Sequence, residues 1–164
     1  MSQPPRSHRK IATPAIHAWL VLMKAHRTLS RHAKRSIETA AMCFSDFAIL
    51  EALLHKGPQT VSELGHRIDL TSGAMTTAID RLEERTLVSR TDHPTDRRTW
   101  VIHLTPEGET LIRKVFAGHA EAMEQAMRGI SNTERATLTA LLKQLGLTAE
   151  ERLTKYSTKE GTHP

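Results

Sequence analysis

The stretch Thr71 to Gly108, "TSGAMTTAIDRLEERTLVSRTDHPTDRRTWVIHLTPEG", changes its hydrophobic period part-way along, and that change decides the fold. In its first half Met75, Ala78, Ile79 and Leu82 recur at helical spacing in a helix that begins near Thr71. The opposite face shows Ser72, Gly73, Thr76, Thr77, Asp80 and Arg81, small and polar at its N-terminal end. Then "LVSRT" and "TWVIHLT" are rich in β-branched residues and alternate, with Trp100, Ile102 and Leu104 on one side and Val101 and His103 on the other. Asp92, Pro94 and Asp96 are turn formers between the two runs, which therefore read as a β-hairpin with Arg97 and Arg98 at its tip.

Upstream, Thr60 and Glu63 form a capping box that opens a short helix with Val61, Leu64 and Ile68 inward. Before it, "SDFAILEALLHKG" predicts a helix capped by Ser45, with Phe47, Leu50, Leu53 and Leu54 as its apolar face and Gly57-Pro58 as its stop. A long first helix starts at Thr13 as cap and Pro14 at the first helical position, with Ile16, Trp19, Leu20, Met23 and Leu29 at helical spacing. Downstream, Thr105 and Pro106 open a helix striped by Ile112, Val115, Phe116, Met123, Met127 and Ile130. A box at Ser131 and Glu134 opens another, with Leu138, Leu141, Leu142 and Leu145, and a third at Thr148 and Glu151 predicts a separate terminal turn.

The resulting expectation is a mostly α chain with a small β-hairpin wing. Residues 1–12 are a flexible basic arm, 13–42 an N-terminal dimerisation helix, 43–108 a winged helix-turn-helix, 109–153 C-terminal dimerisation helices, and 154–164 a disordered tail. In such a unit the second helix of the pair enters the major groove N-terminal end first, because free amides and the positive dipole end favour phosphate and short side chains reach base edges. Ser72, Gly73, Thr76, Thr77, Arg81 and Arg90 are the expected contacts there. A hairpin beside that helix brings Arg97 and Arg98 to the flanking minor groove, where negative potential concentrates.

These residues together resemble the MarR family of bacterial transcription regulators. Asp96, Arg97 and Arg98 match the family's Asp-Arg-Arg wing motif, and Leu104, Thr105 and Gly108 its Leu-Thr-x-x-Gly helix start. The resemblance is strong over about Ser45 to Gly108. It implies a homodimer on a pseudo-palindromic double-stranded DNA operator, with the terminal helices of two chains interleaved. It also implies that Asp96 orients the wing through Arg81. A small lipophilic or phenolic ligand is implied between the dimer helices and the winged unit, where His17, Trp19, His26 and Phe47 match by position. Thr86 departs from the family, which usually has glycine between the recognition helix and the first wing strand.

Composition agrees with a DNA partner without identifying one. The 164 residues carry 23 Lys and Arg against 18 Asp and Glu, a net charge of +5. The single cysteine, Cys43, excludes an internal disulfide framework and a cysteine-rich zinc site, and fits a reducing compartment. Between Met42 and Phe44 the commoner outcome for it is a buried, inert thiol; the other reading is a redox sensor, at a position unlike the N-terminal sensing cysteine of the family's peroxide-responsive branch. No two of the ten histidines stand four residues apart, so no metal is expected. No cofactor is expected either. The start "MSQPPRSHRK" lacks the apolar core of a signal peptide and no apolar run approaches a membrane span, so a cytoplasmic protein without a membrane partner is expected. No nucleophile with base and orienting partner, phosphate loop or paired carboxylates stand out, which argues against an enzyme. The reading is thus a homodimeric, sequence-specific regulator, a repressor released by a ligand. A sequence-tolerant architectural DNA binder and a cysteine-based redox regulator are the alternatives.

Overall fold

The computed structural model describes residues 13–95 and 99–160. They form two compact units, the first ending at Ala126 and the second starting at Met127. The first holds α1 (Pro14–Glu38), α2 (Phe44–Lys56), β1 (Gln59–Thr60), α3 (Val61–Ile68), α4 (Ser72–Glu84), β2 (Val88–Asp92), β3 (Trp100–Leu104) and α5 (Pro106–Ala126). The second holds α6 (Asn132–Glu160). The architecture of the first unit is a winged helix-turn-helix flanked by helices.

Most helix starts follow the side-chain chemistry expected of them. The expected caps Thr13 and Thr105 accept the amides of Ile16 and Gly108 at 3.3 and 3.0 Å, and Thr71, not singled out as a cap in the sequence, accepts that of Ala74 at 3.3 Å. The boxes at Thr60/Glu63 and Ser131/Glu134 are both closed. In each, the bonds donated by the capping residue's backbone N–H and hydroxyl hold the glutamate below the ordinary carboxylate value. Two starts differ from expectation. The N-cap of α2 is Cys43, without a side-chain cap bond, and Ser45 lies inside the first turn. Thr148 and Glu151 open nothing: α6 is unbroken to Glu160, with the Thr154 hydroxyl donating to the Glu150 carbonyl at 3.1 Å, so the expected terminal turn and the disordered stretch from 154 are replaced by helix as far as 160.

The hairpin is part of a three-stranded antiparallel sheet in the order β1-β3-β2. Val88 pairs with Leu104 and Asp92 with Trp100, while Gln59 of β1 pairs with Ile102. That register sends Ile102, fully buried, into a core made with Met75, Ala78, Ile79 and Leu82 of α4, Ile49, Leu50 and Leu53 of α2, and Ile112 of α5. Gln59 is buried too; its amide donates to the Ala52 carbonyl at 3.2 Å and its oxygen accepts Arg67 Nε at 3.0 Å.

Three elements meet where α4 ends. Leu87 N–H donates to Leu82 O at 2.9 Å and Thr86 N–H to Glu83 O at 2.8 Å, with Leu82 and Leu87 both buried, which is a Schellman cap. Its left-handed position is Thr86, at φ 57, where glycine would relieve the Cβ. Thr86→Gly is therefore expected to stabilise the fold by about 0.5–1 kcal/mol, the strain relieved being partly offset by the added freedom of the unfolded chain. Thermal unfolding followed by circular dichroism reads this as a rise of a few degrees; a fall would show that the bonds around Thr86 outweigh its strain. The same corner receives α5: Thr105 N–H donates to Leu87 O at 3.2 Å and its hydroxyl to Thr86 O at 2.6 Å.

Both flanking helices expose apolar side chains. Ile16, Trp19, Leu20 and Met23 stand out from one face of α1, each at least 43% exposed, and Leu138, Leu141, Leu142 and Leu145 from one face of α6. Among the described residues no helix is long and apolar enough to cross a membrane.

Candidate nucleic-acid interface

The exposed face of α4 begins with Ser72, Gly73, Thr76 and Thr77, all on the surface. Its first turn holds no acidic residue, so the free amides and the positive dipole end behind Thr71 are not neutralised there. A Cβ built on Gly73 would meet nothing within 4 Å, so no neighbour inside the molecule requires glycine in this helix. The hydroxyls of Thr76 and Thr77, both exposed residues, donate back to the carbonyls of Ser72 and Gly73 at 3.0 Å, which leaves their oxygens with acceptor capacity. A groove of about 630 Å³ separates this face from α3 and the hairpin, with His66, Met75, Thr76, Arg90 and Trp100 among its walls.

Arg81 has a partner on α2. Its Nε donates to Asp46 Oδ2 at 3.1 Å and its Nη2 to Asp46 Oδ1, a bidentate clasp between α4 and α2. Asp46 is 1% exposed, and Arg85 adds a second cation 3.6 Å from Oδ2. The bond to Asp46 raises the Arg81 pKa further above its ordinary value, burial working against it. Arg81 thus ties the recognition helix to the core through Asp46; the pairing with Asp96 that the resemblance implies falls on a residue that is not described. Asp96, Arg97 and Arg98 lie outside the described residues. Arg90 is also engaged, with Asp80 and with Glu83 Oε2 at 3.3 Å, so β2 is braced against α4 by charge.

Cys43 is exposed, which corrects the expectation of a buried thiol. As the residue preceding α2 it turns outward, its sulfur 3.3 Å from Arg81 Nη2 and 3.2 Å from the Ser45 hydroxyl. The four pocket candidates are not brought together. His17 and Trp19 are exposed on α1 and His26 lines a depression along that helix with Leu20 and Met23, while Phe47 points into the core against the His119 ring at 4.9 Å. The reason is the inward turn of the α2 face that carries Phe47 beside Leu50 and Leu53. Among the described residues no group of three or more His, Cys, Asp or Glu is placed to hold a metal.

Sequence reading missed the His119 site as well as Asp46. Ser36 on α1 donates to the Ala33 carbonyl at 2.8 Å and stands 2.9 Å from His119 Nδ1. Burial pushes the His119 imidazole below its ordinary 6.5, with the charge of Glu51 pulling the other way. For a base lowered on folding, the unfolded chain binds the extra proton, so the stability this site provides is complete above pH 6.5 and is lost as pH falls through the lower folded value. Urea midpoints of wild type and His119→Gln measured across that window should diverge, the wild type losing more as pH falls. Parallel curves would show that His119 carries no such linkage.

With this geometry in place, comparison with other proteins decides the family. The MarR family model matches residues 45–100. The HTH-type transcriptional regulator MhqR of Bacillus subtilis is 33% identical over 137 residues, covering 84% of this chain and 94% of that protein. The chain belongs to the MarR family of transcriptional regulators. Among solved structures, a mutant of Escherichia coli MarR complexed with operator DNA superposes on this MarR-family chain with a TM-score of 0.71 at 20% identity, covering 84% of this chain and 99% of that one. BpsR of Bordetella bronchiseptica, whose DNA binding is regulated by 6-hydroxynicotinic acid, gives 0.70 at 21% identity, with 79% and 98% covered. These two likenesses establish the shared fold, and the MarR-family relative is a regulator of transcription.

Proposed function

We propose that this protein is a cytoplasmic homodimeric repressor that reads a pseudo-palindromic operator and is released by a small lipophilic or phenolic ligand. The observation that carries the reading is the N-terminal face of α4: capped, free of acid in its first turn, and bearing at Gly73 a helical glycine that nothing inside the molecule requires. In this reading Ser72, Gly73, Thr76 and Thr77 lie against the major groove, and Arg97 and Arg98 enter the minor groove. Arg90 and Arg81 contribute mainly by holding β2 and α4 in place, given their carboxylate partners. The exposed apolar faces of α1 and α6 support burial against a second copy. Ligand release needs only that the ligand bind better to a dimer shape mismatched to the operator. The regulation of BpsR by 6-hydroxynicotinic acid supports that mode of control here.

Gly73→Ala tests the reading, because it separates the two roles a residue can have. Alanine in this open helical position should stabilise the fold by about 0.5–1 kcal/mol. Its methyl group should at the same time lower affinity for a selected duplex about tenfold or more, measured by fluorescence anisotropy beside thermal unfolding. Unchanged affinity would remove the close approach at Gly73. A specific-to-nonspecific affinity ratio near one, against the ~10³ or more of a sequence reader, would favour the architectural alternative.

The contact between the exposed Cys43 thiol and Arg81 supports a second reading, in which oxidation of the thiol loosens the Arg81 clasp and hence α4. Peroxide treatment of Cys43→Ser beside wild type tests it. Equal loss of DNA binding in both would end the redox reading.

A further inference from the structure

We infer that the basic C-terminal half of the exposed face of α1, beyond the apolar residues Ile16 to Met23 assigned above to a second copy, is a second polyanion-binding surface, which holds the phosphate backbone of the same DNA that the winged unit reads. The inference rests on the regulator reading above. Its starting point is where the charge lies. Residues 1–38 hold eight Lys and Arg against one acid, Glu38, a net of +7, while the remaining 126 residues hold 15 against 17 and are net negative. Within residues 43–108 there are seven Lys and Arg and ten Asp and Glu. Of those seven cations, Arg81, Arg85 and Arg90 are already paired with Asp46, Asp80 or Glu83. DNA affinity comes largely from neutralising phosphates and releasing their counterions, and a net negative reading head with three of its seven cations committed supplies less of that.

α1 supplies what the reading head lacks. Lys24, Arg27, Arg31 and Lys34 fall at steps of three, four and three residues, so they form one row, and all four are exposed. Ala33, Ser36 and Ile37 turn to the other side, where Ile37 joins the core and Ser36 meets His119. Among the described residues no ion pair joins any of the four to a carboxylate. At about 1.5 Å of rise per residue the row is about 15 Å long, the axial length of four to five base pairs at about 3.4 Å each. The row also reaches the reading head. Lys34 shares a surface depression with Cys43 and Ser45, and Arg81 Nη2 lies 3.3 Å from the Cys43 sulfur and 3.4 Å from the Ser45 hydroxyl. An anionic membrane fits less well, since an interfacial helix sets its cations opposite its apolar stripe. Here Leu20 and Met23 line the same depression as Lys24, Arg27 and Arg31.

The test compares full-length wild type with Lys24→Gln/Arg27→Gln/Arg31→Gln/Lys34→Gln, on a duplex enriched by selection and on a mixed-sequence duplex of equal length. Each lost phosphate contact flattens the slope of log affinity against log salt by about 0.9. The quadruple variant should flatten it by about 2–4 on both duplexes and weaken both about 10–100-fold at physiological salt. The ratio between the duplexes should not change, because phosphate contacts carry no sequence information. A charge-preserving variant, Lys24→Arg/Arg27→Lys/Arg31→Lys/Lys34→Arg, should keep the wild-type slope. An unchanged slope in the glutamine variant overturns the inference, as does its conversion to a different oligomeric state, which would assign the row to a second copy, or equal loss in both variants. Wild type binding neither duplex would overturn the regulator reading itself, a result distinguishable from all of these.

Discussion

Replacing Gly108 by alanine is expected to cost about 3–5 kcal/mol, a large part of the ~5–15 kcal/mol that holds an ordinary domain together. A Cβ at that position would sit 1.9 Å from the Leu87 carbonyl oxygen and 2.8 Å from its carbon. Both are backbone atoms, so no rotamer change relieves the clash. Leu87 cannot yield without loss, since its amide closes the α4 cap on Leu82, its carbonyl accepts the Thr105 amide, and its side chain is buried. Movement of α5 would instead displace Ile112 from the core. Chemical denaturation measures the effect directly. A loss below about 1 kcal/mol would mean that α5 does not dock on the Leu87 carbonyl as described.

Removing the carboxylate of Asp46 is the second large effect, expected at about 2–3 kcal/mol for Asp46→Ala. A fully buried pair broken on one side costs about 3–5 kcal/mol, but the Arg81 and Arg85 side chains are 41% and 42% exposed and regain water, which lowers the figure. Asp46 itself is almost fully buried, so Arg81→Ala leaves the harder residue behind and should cost at least as much. A double-mutant cycle over Asp46→Ala and Arg81→Ala isolates the pair, with a coupling of about 1–3 kcal/mol expected. Strict additivity would show that the clasp contributes nothing. The consequence reaches function because Arg81 lies on the same helix as Ser72, Thr76 and Thr77: a helix released from α2 presents those residues less firmly.

The parts of this fold legible in the sequence are those with period or cap chemistry. Met75, Ala78, Ile79 and Leu82 mark the buried side of α4 by spacing, and all four are buried. Thr60/Glu63 and Ser131/Glu134 mark helix starts because a hydroxyl and a carboxylate three residues apart satisfy free amides. The same pattern at Thr148 and Glu151 misleads, because residues three apart are also neighbours on a continuous helix. β1 escapes notice because two residues have no period. Cys43 as the cap of α2 escapes because it makes no cap bond. Asp46 leaves a signal that is easily passed over: it precedes Phe47 and stands three and four residues before Ile49 and Leu50, a charge on the buried side of an apolar helix. Its partner, 35 residues away, follows from the tertiary fold alone.

Selection of random duplex DNA by the purified full-length protein, sequenced to convergence at physiological salt, tests the central claim most directly. A homodimer reading through two α4 helices predicts enrichment of an inverted repeat whose half-site centres lie one helical turn apart, about 34–36 Å. Binding without an enriched repeat would contradict a symmetric sequence reader and leave a phosphate-anchored, sequence-tolerant DNA binder in its place.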